Sequence, residues 1–322
     1  ALGGDEVILG QLPEHQAKGV KPSYALVKVG AWGDNACQIH NFYAQREFHC
    51  PKDALDVRMG ACTLTETHMK GQCSVSAKDA AEKPETMSDA GEMLWDLKIN
   101  KLIPYHVGYG ASTFFRKLNA FEMFWHAEGI KTQYDGVVIL NGEVYDVVPE
   151  KSYGYADKNW GKDFTSPWLW ISSCNMKSLL TGRVLDHSAV EFGGGRPKAF
   201  GMDLGRKLLG CLYYEGKYYD YNFSKFWLKS KIKFDFVEEE GVNVWRLQAE
   251  NHNSVLKMTL KCPQDEMLLI RYEAPDGKKR HNRLWNGGTG VGEIQLYDKK
   301  KGQITLVDHI EIQSTGCEYG AY

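Results

Sequence analysis

A period of two dominates this sequence and limits what it can fold into. Met93, Trp95, Leu97 and Ile99 alternate with Leu94, Asp96, Lys98 and Asn100. Phe226, Leu228, Ile232, Phe234 and Phe236 alternate with Trp227, Lys229, Lys231, Lys233 and Asp235. Leu256, Met258 and Leu260 repeat the pattern, as do Ile304, Leu306, Ile310 and Ile312. Side chains on a strand point alternately to its two faces, so this pattern predicts antiparallel strands with one wet face. Helical patterns are short, at residues 78–87 and 112–118. Asn141-Gly142, between two apolar runs, predicts a two-residue hairpin turn because Asn-Gly supplies the positive φ it needs. Glu240-Gly241 and Asp276-Gly277 mark two more turns. Many short strands without helical crossovers give an all-β sandwich or barrel. No repeat of 20–50 residues appears, which argues against a propeller. A chain of 322 residues has room for two β domains packed together, and a division is expected where the aromatic-rich stretch ends. The expected domains are residues 1–180 and 181–322.

Charge excludes some partners. Lys and Arg total 39 against 41 Asp and Glu, for a net charge of −2, which argues against nucleic acid or an anionic membrane as the main partner. A peripheral membrane contact for entry of an apolar substrate stays open, and the oligomeric state is not legible. No apolar run approaches the roughly 20 residues that span a bilayer. The first residues show no basic n-region or apolar h-region, so no signal peptide is expected. The eight cysteines form no CxxC pair and have no zinc-finger spacing. They read as buried thiols in a reducing, cytoplasmic setting, against the alternative of one or two disulfides in a secreted protein. No phosphate-binding P-loop, HExxH or GxSxG string occurs, and the histidines are scattered, so neither a cofactor nor a metal is expected. Gly193-Gly194-Gly195-Arg196 reads as a bulge or hairpin turn.

The most distinctive stretch runs from Phe121 to Asn175. It contains Trp125-His126, then Tyr153-Gly154-Tyr155-Ala156-Asp157-Lys158-Asn159-Trp160-Gly161, then Trp168-Leu169-Trp170. On a strand, Tyr155, Asp157 and Asn159 share one face while Ala156, Lys158 and Trp160 share the other. A carboxyl on an apolar face with no adjacent cation has its pKa raised by desolvation, so it can serve as a general acid. Aromatic rings nearby would stabilise a cation formed by protonating a substrate. The bland alternative is a solvated or turn-capping Asp157 and plain core tryptophans.

The string Asp157-Lys158-Asn159-Trp160-Gly161, followed by Trp168, Trp170 and Cys174-Asn175, resembles the tocopherol cyclase-like family. That family carries E-K-N-W-G and then a Trp-rich strand ending in Cys-Asn. Tyr155 and Asp157 also fit the Y-x-D-x-N-W-G pattern of the related carotenoid 1,2-hydratases (hydroxyneurosporene synthases). Fungal lipocalin-like Diels–Alderases are more distant relatives. The resemblance covers about 55 residues, and it implies two lipocalin-like antiparallel β-barrel or sandwich domains enclosing an apolar cavity. It also implies chemistry on long polyenes or prenyl chains. Carried over, the catalytic residues are Tyr155 and Asp157, with Trp125 as the upstream tryptophan. The F-E-G-W-Y-F string of tocopherol cyclases is missing from the early strand Ser23-Tyr24-Ala25-Leu26-Val27-Lys28-Val29, so tocopherol itself is not the expected substrate.

Substrate contacts are expected from Trp160, Trp168, Trp170, Asn159 and His126, and from His40 and Tyr43 on an early strand. The competing reading of His40 and Tyr43 is a satisfied sheet edge. His126 neighbours Trp125, so only one of the two faces a cavity. Glu318 and Tyr319, near the chain end, either close a barrel or reach the cavity. Two functions follow. One is an isomerase, hydratase or cyclase that protonates a carbon–carbon double bond through Asp157. The other is a lipocalin-like carrier of an apolar ligand.

Overall fold

The computed structural model describes residues 17–107, 114, 117–118, 120–121, 123–161, 165–273 and 280–321. These residues are almost wholly β, as the alternation predicts. The helix candidate at 78–87 forms as α1 (Ala77–Glu82), capped by the Ser76 side chain, and then a 3-10 turn at Pro84–Thr86. The candidate at 112–118 and the Asp276-Gly277 turn fall mostly or wholly outside the described residues. No helix among the described residues is long and apolar enough to cross a membrane.

Two compact units are built from interleaved segments. The first comprises Ala1–Asn100, Thr132–Tyr153 and Ile270–His281, and the second Lys101–Lys131, Gly154–Leu269 and Asn282–Tyr322. The end of the aromatic-rich stretch suggested two consecutive halves divided at residue 180. Interleaving arises because some strands are long enough to leave one unit and enter the other.

In the first unit, β1 (Ala25–Ala31) and β2 (Cys37–Tyr43) form an antiparallel ribbon. Next come β3 (Phe48–His49), β4 (Asp56–Met59), β5 (Cys62–Thr65) and β6 (His68–Val75), each paired with the next in turn. β6 pairs with the start of β7 (Gly91–Tyr105). The end of β8 (Met123–Leu140) turns through Asn141-Gly142 into β9 (Glu143–Val147). Asn141 has φ 51° and Gly142 φ 86°, the positive values expected of that dipeptide. Ile39, Cys73, Met93 and Leu140 form this unit's small core.

The second unit takes the end of β7 and the start of β8, then β10 (Tyr153–Gly161), β11 (Trp168–Ser173), β12 (Asn175–Ser178) and β13 (Ala189–Gly195). The short pair β14 (Lys198–Ala199) and β15 (Met202–Asp203) precedes β16 (Lys207–Tyr214) and β17 (Lys217–Asn222). Then come β18 (Lys231–Glu239), β19 (Val242–Glu250), β20 (Ser254–Pro263), β22 (Arg280–Lys300, from Asn282 onward) and β23 (Gln303–Ala321), while β21 (Leu268–Glu273) lies mostly in the first unit. The main sheet runs in the order β17-β16-β13-β11-β23-β22-β20-β19-β18. Its outermost strands share one core. Tyr219 and Tyr221 of β17 and Ile232, Phe234 and Phe236 of β18 all pack with Ile171, Phe192, Trp245 and Leu256. A sheet whose two ends meet the same apolar cluster is curled round it.

Three local expectations change. Phe226–Leu228 is a 3-10 turn, so the strand begins only at Lys231. Ile310 and Ile312 are buried, but Ile304 and Leu306 are exposed. The register between β22 and β23 shifts at Leu296/Tyr297, and this bulge moves the earlier residues to the outer face. The Gly193–Gly195 run is neither turn nor bulge but the end of β13, where glycine admits close neighbours. All eight cysteines are free thiols, and six are buried.

Candidate active site

β11 sets the site's geometry because its two faces differ. Leu169 and Ile171 point into the apolar core. Trp168, Trp170 and Ser172 point the other way. Register brings Gly193 and Glu318 beside Trp170, and Glu191 beside Ser172. Residues directly opposite in an antiparallel pair share a face. This face therefore carries two carboxyls and two indoles.

Each indole N–H meets one of the carboxyls. Trp170 Nε1 donates to Glu191 Oε1 at 2.7 Å, and Trp168 Nε1 donates to Glu318 Oε2 at 2.9 Å. Asn286 also donates to Glu318. Tyr319, on the opposite face, stacks on Phe236 with ring centroids 3.7 Å apart. The last strand thus does both things open to it: Tyr319 completes the core while Glu318 joins the polar face.

Over this face lie β8 and β10. The Trp125 ring is packed on Gly193, where a Cβ would stand 3.2 Å from the indole. Trp125 Nε1 is 2.9 Å from both the Tyr155 hydroxyl and Asp157 Oδ2, so its single proton is shared between them. Asn159 Nδ2 donates to the same Asp157 oxygen at 3.0 Å. The Tyr155 ring packs against Trp170 at 5.2 Å. Tyr155, Asp157 and Asn159 therefore share a face and a hydrogen-bond network, as their spacing predicts.

Asp157 is exposed on β10 and does not belong to the core. Loss of hydration raises its pKa, while bonds from Trp125, Tyr155 and Asn159 pull the other way without cancelling the effect. Burial pushes the Tyr155 phenol well up, helped by the nearby charges of Glu191 and Asp157. Glu191 is wholly buried. Desolvation raises its pKa far above the ordinary carboxylate range, and Asp157 adds to the rise.

The other expected contacts lie elsewhere. Trp160 is on the opposite face of β10, stacked on Phe124 with centroids 5.5 Å apart and with Lys158 over its ring. His126 neighbours Trp125 and so faces away from it. His40 and Tyr43 belong to the first unit. His40 is buried, its Nδ1 2.7 Å from the Thr86 carbonyl, and its pKa is lowered by burial. The Tyr43 ring covers Gly60. Among the described residues no group of three or more His, Cys, Asp or Glu is placed to hold a metal ion.

The sequence matches the tocopherol cyclase-like family over residues 5–321. The chain belongs to that family. Trp125, Tyr155 and Asp157 all fall within the match. No curated protein matches the chain. The solved structure of kievitone hydratase from Nectria haematococca is similar over 94% of this chain and 81% of its own, at 13% identity and a TM-score of 0.49.

Sequence reasoning missed Glu191. Its only signal is a lone carboxyl inside the apolar run Ala189-Val190-Glu191-Phe192. A charged residue in such a run is seldom fully buried without a partner. That partner, Trp170, comes from a neighbouring strand.

Proposed function

We propose that this protein is a proton-transfer enzyme acting on a carbon–carbon double bond of a long apolar substrate: a polyene, an unsaturated fatty acid or a prenyl chain. Asp157 is the general acid. Membership of a family named for a cyclase supports an enzyme of the cyclase and hydratase type. The observation that carries the reading is the Asp157 carboxyl itself. Desolvation raises its pKa, it is reachable from solvent, and Trp125, Tyr155 and Trp170 stand around it.

In this reading Oδ1 delivers the proton. Oδ2 accepts from Trp125 and Asn159, which leaves Oδ1 to carry the hydrogen. In the proposed step the Oδ1–H bond breaks and the alkene π pair forms a new C–H bond. This leaves a carbocation on the adjacent carbon and a carboxylate on Asp157. The donors on Oδ2 stabilise that carboxylate as it forms, and the aromatic faces stabilise the cation. The cation then loses a different proton, adds water, or is captured by a nucleophile within the substrate. In each case a proton returns to Asp157, so the step needs no cofactor.

The test compares wild type with Asp157→Asn, measuring turnover and ligand binding separately. Positioned general acids contribute about 10²–10⁴-fold, so kcat should fall by that order while binding is kept. Activity should decline as pH rises through the elevated pKa of Asp157, because only the protonated form reacts. Tight binding of these ligands by wild type with no turnover would make the protein a carrier.

A further inference from the structure

The mechanism above leaves Glu191 unused, and its surroundings are unusual. It is 0% exposed, so it cannot touch a substrate. Oε1 is taken by the Trp170 N–H at 2.7 Å. Oε2 is buried and has no partner at hydrogen-bond distance. The hydroxyls of Ser172 and Tyr155 are the polar groups that face this carboxyl. Tyr155 in turn reaches Asp157. One phenol thus stands between two carboxyls.

We infer that Glu191 is a positioning residue for the proton-transfer site, turning the Tyr155 hydroxyl toward Asp157. This rests on the reading of Asp157 as the acid. A tyrosine hydroxyl has one proton to give and two lone pairs to receive. Trp125 fills one lone pair. An ionised Glu191 would take the phenol proton for itself. An un-ionised Glu191 must carry its hydrogen on Oε2, since Oε1 already accepts from Trp170. That hydrogen has only Tyr155 and Ser172 to turn to. When it goes to Tyr155, the phenol's own proton is left for Asp157. The carboxylate formed at Asp157 then meets three donors: Trp125, Asn159 and Tyr155.

Thiols and further carboxyls surround the pair, with Glu318 on the same face as Glu191. Cys174 follows β11 and Cys211 lies on β16 beside Glu191, and burial raises both thiols. Glu128 on β8 acts on Asp157 and favours its protonated form. Bonds from Ser172, Trp170 and Tyr155 favour the charged form of Glu191, and the loss of hydration outweighs them.

Infrared spectroscopy and kinetics on the full-length protein test this together. Wild type should show a protonated-carboxyl C=O band that persists above neutral pH. The band should survive in Asp157→Asn and vanish in Glu191→Gln. Glu191→Leu should lower kcat about tenfold with KM unchanged, and should move the alkaline limb of the pH profile upward, because Asp157 loses the Tyr155 bond that lowers its pKa. Glu191→Gln can accept from Trp170 and donate to Tyr155, so it should recover most of the loss. A missing band, or a Glu191→Leu enzyme with an unmoved pH limb, overturns the inference. Full activity in Asp157→Asn would instead overturn the reading of Asp157, whatever the infrared result.

Discussion

Glu191 and Phe192 are neighbours on one strand and live in different chemical worlds. Both are fully buried. Phe192 faces the apolar core opposite Ile171 and stacks on Tyr221 at 6.2 Å. Glu191 faces the other way, toward Trp170, Tyr155 and Asp157. The core face of this sheet is filled with side chains that need nothing but contact. The opposite face spends buried volume on carboxyls and hydroxyls whose hydration is lost. The difference teaches where the proposed chemistry belongs: not inside the curled sheet's apolar core, but on the back of the strands that enclose it.

This contrast can be broken or sharpened by substitution. Asp157→Asn gives the largest expected change, the 10²–10⁴-fold order of loss in kcat described above, with little loss of stability. Phe192→Ala should show the reverse. Deleting a buried phenylalanine costs about 3–5 kcal/mol of stability, seen as a lower denaturant midpoint, while kcat per folded molecule stays near wild type. If Phe192→Ala instead cut kcat as deeply as Asp157→Asn, the two faces would not be separate.

Glu191 gives a pH-dependent test. Its folded pKa lies well above the ordinary value, so above that ordinary value the folded state keeps a proton that the unfolded state gives up. The stability tied to that proton is complete below the unfolded pKa. It is lost as pH rises toward the folded pKa, at up to about 1.4 kcal/mol per pH unit. Glu191→Gln has no such proton. Its stability relative to wild type should therefore climb with pH from about 4 upward in denaturant melts. A flat difference would mean that Glu191 is ionised in the folded protein.

Smaller effects follow from Trp125. Trp125→Phe removes the N–H shared by Asp157 and Tyr155, and a bond to a charged group is worth about 1.5–3 kcal/mol. Turnover should fall about tenfold or more, and the alkaline limb should move up, since that bond lowers the Asp157 pKa. Gly193→Ala should be the mildest. Its new Cβ meets the Trp125 ring at 3.2 Å, which pushes the indole outward and should cost severalfold in kcat with about 1 kcal/mol of stability.

Much of this was legible in the sequence. Period-two alternation gives the all-β class, and the same rule puts Tyr155, Asp157 and Asn159 on one face. Asn141-Gly142 predicts its own hairpin. What was not legible depends on register. Glu191 meets Trp170 only because Ser172 lies opposite it on the adjacent strand, and no local pattern encodes that pairing. The outward turn of Ile304 and Leu306 comes from a single register shift, which keeps the alternation and changes its phase. Trp160 sits beside the functional residues in sequence, yet period two sends it to Phe124. His40 and Tyr43 carry suitable side chains, but the fold places them in the first unit.

The most direct measurement is product mass after incubation in D2O. Wild type and Asp157→Asn would each be given polyunsaturated fatty acids, carotenoid precursors and prenylated quinols. The account predicts one deuterium bound to carbon in a wild-type product and none with Asp157→Asn, the added mass separating hydration from isomerisation or cyclisation. A product that forms without carbon-bound deuterium, or that forms equally with Asp157→Asn, would contradict it.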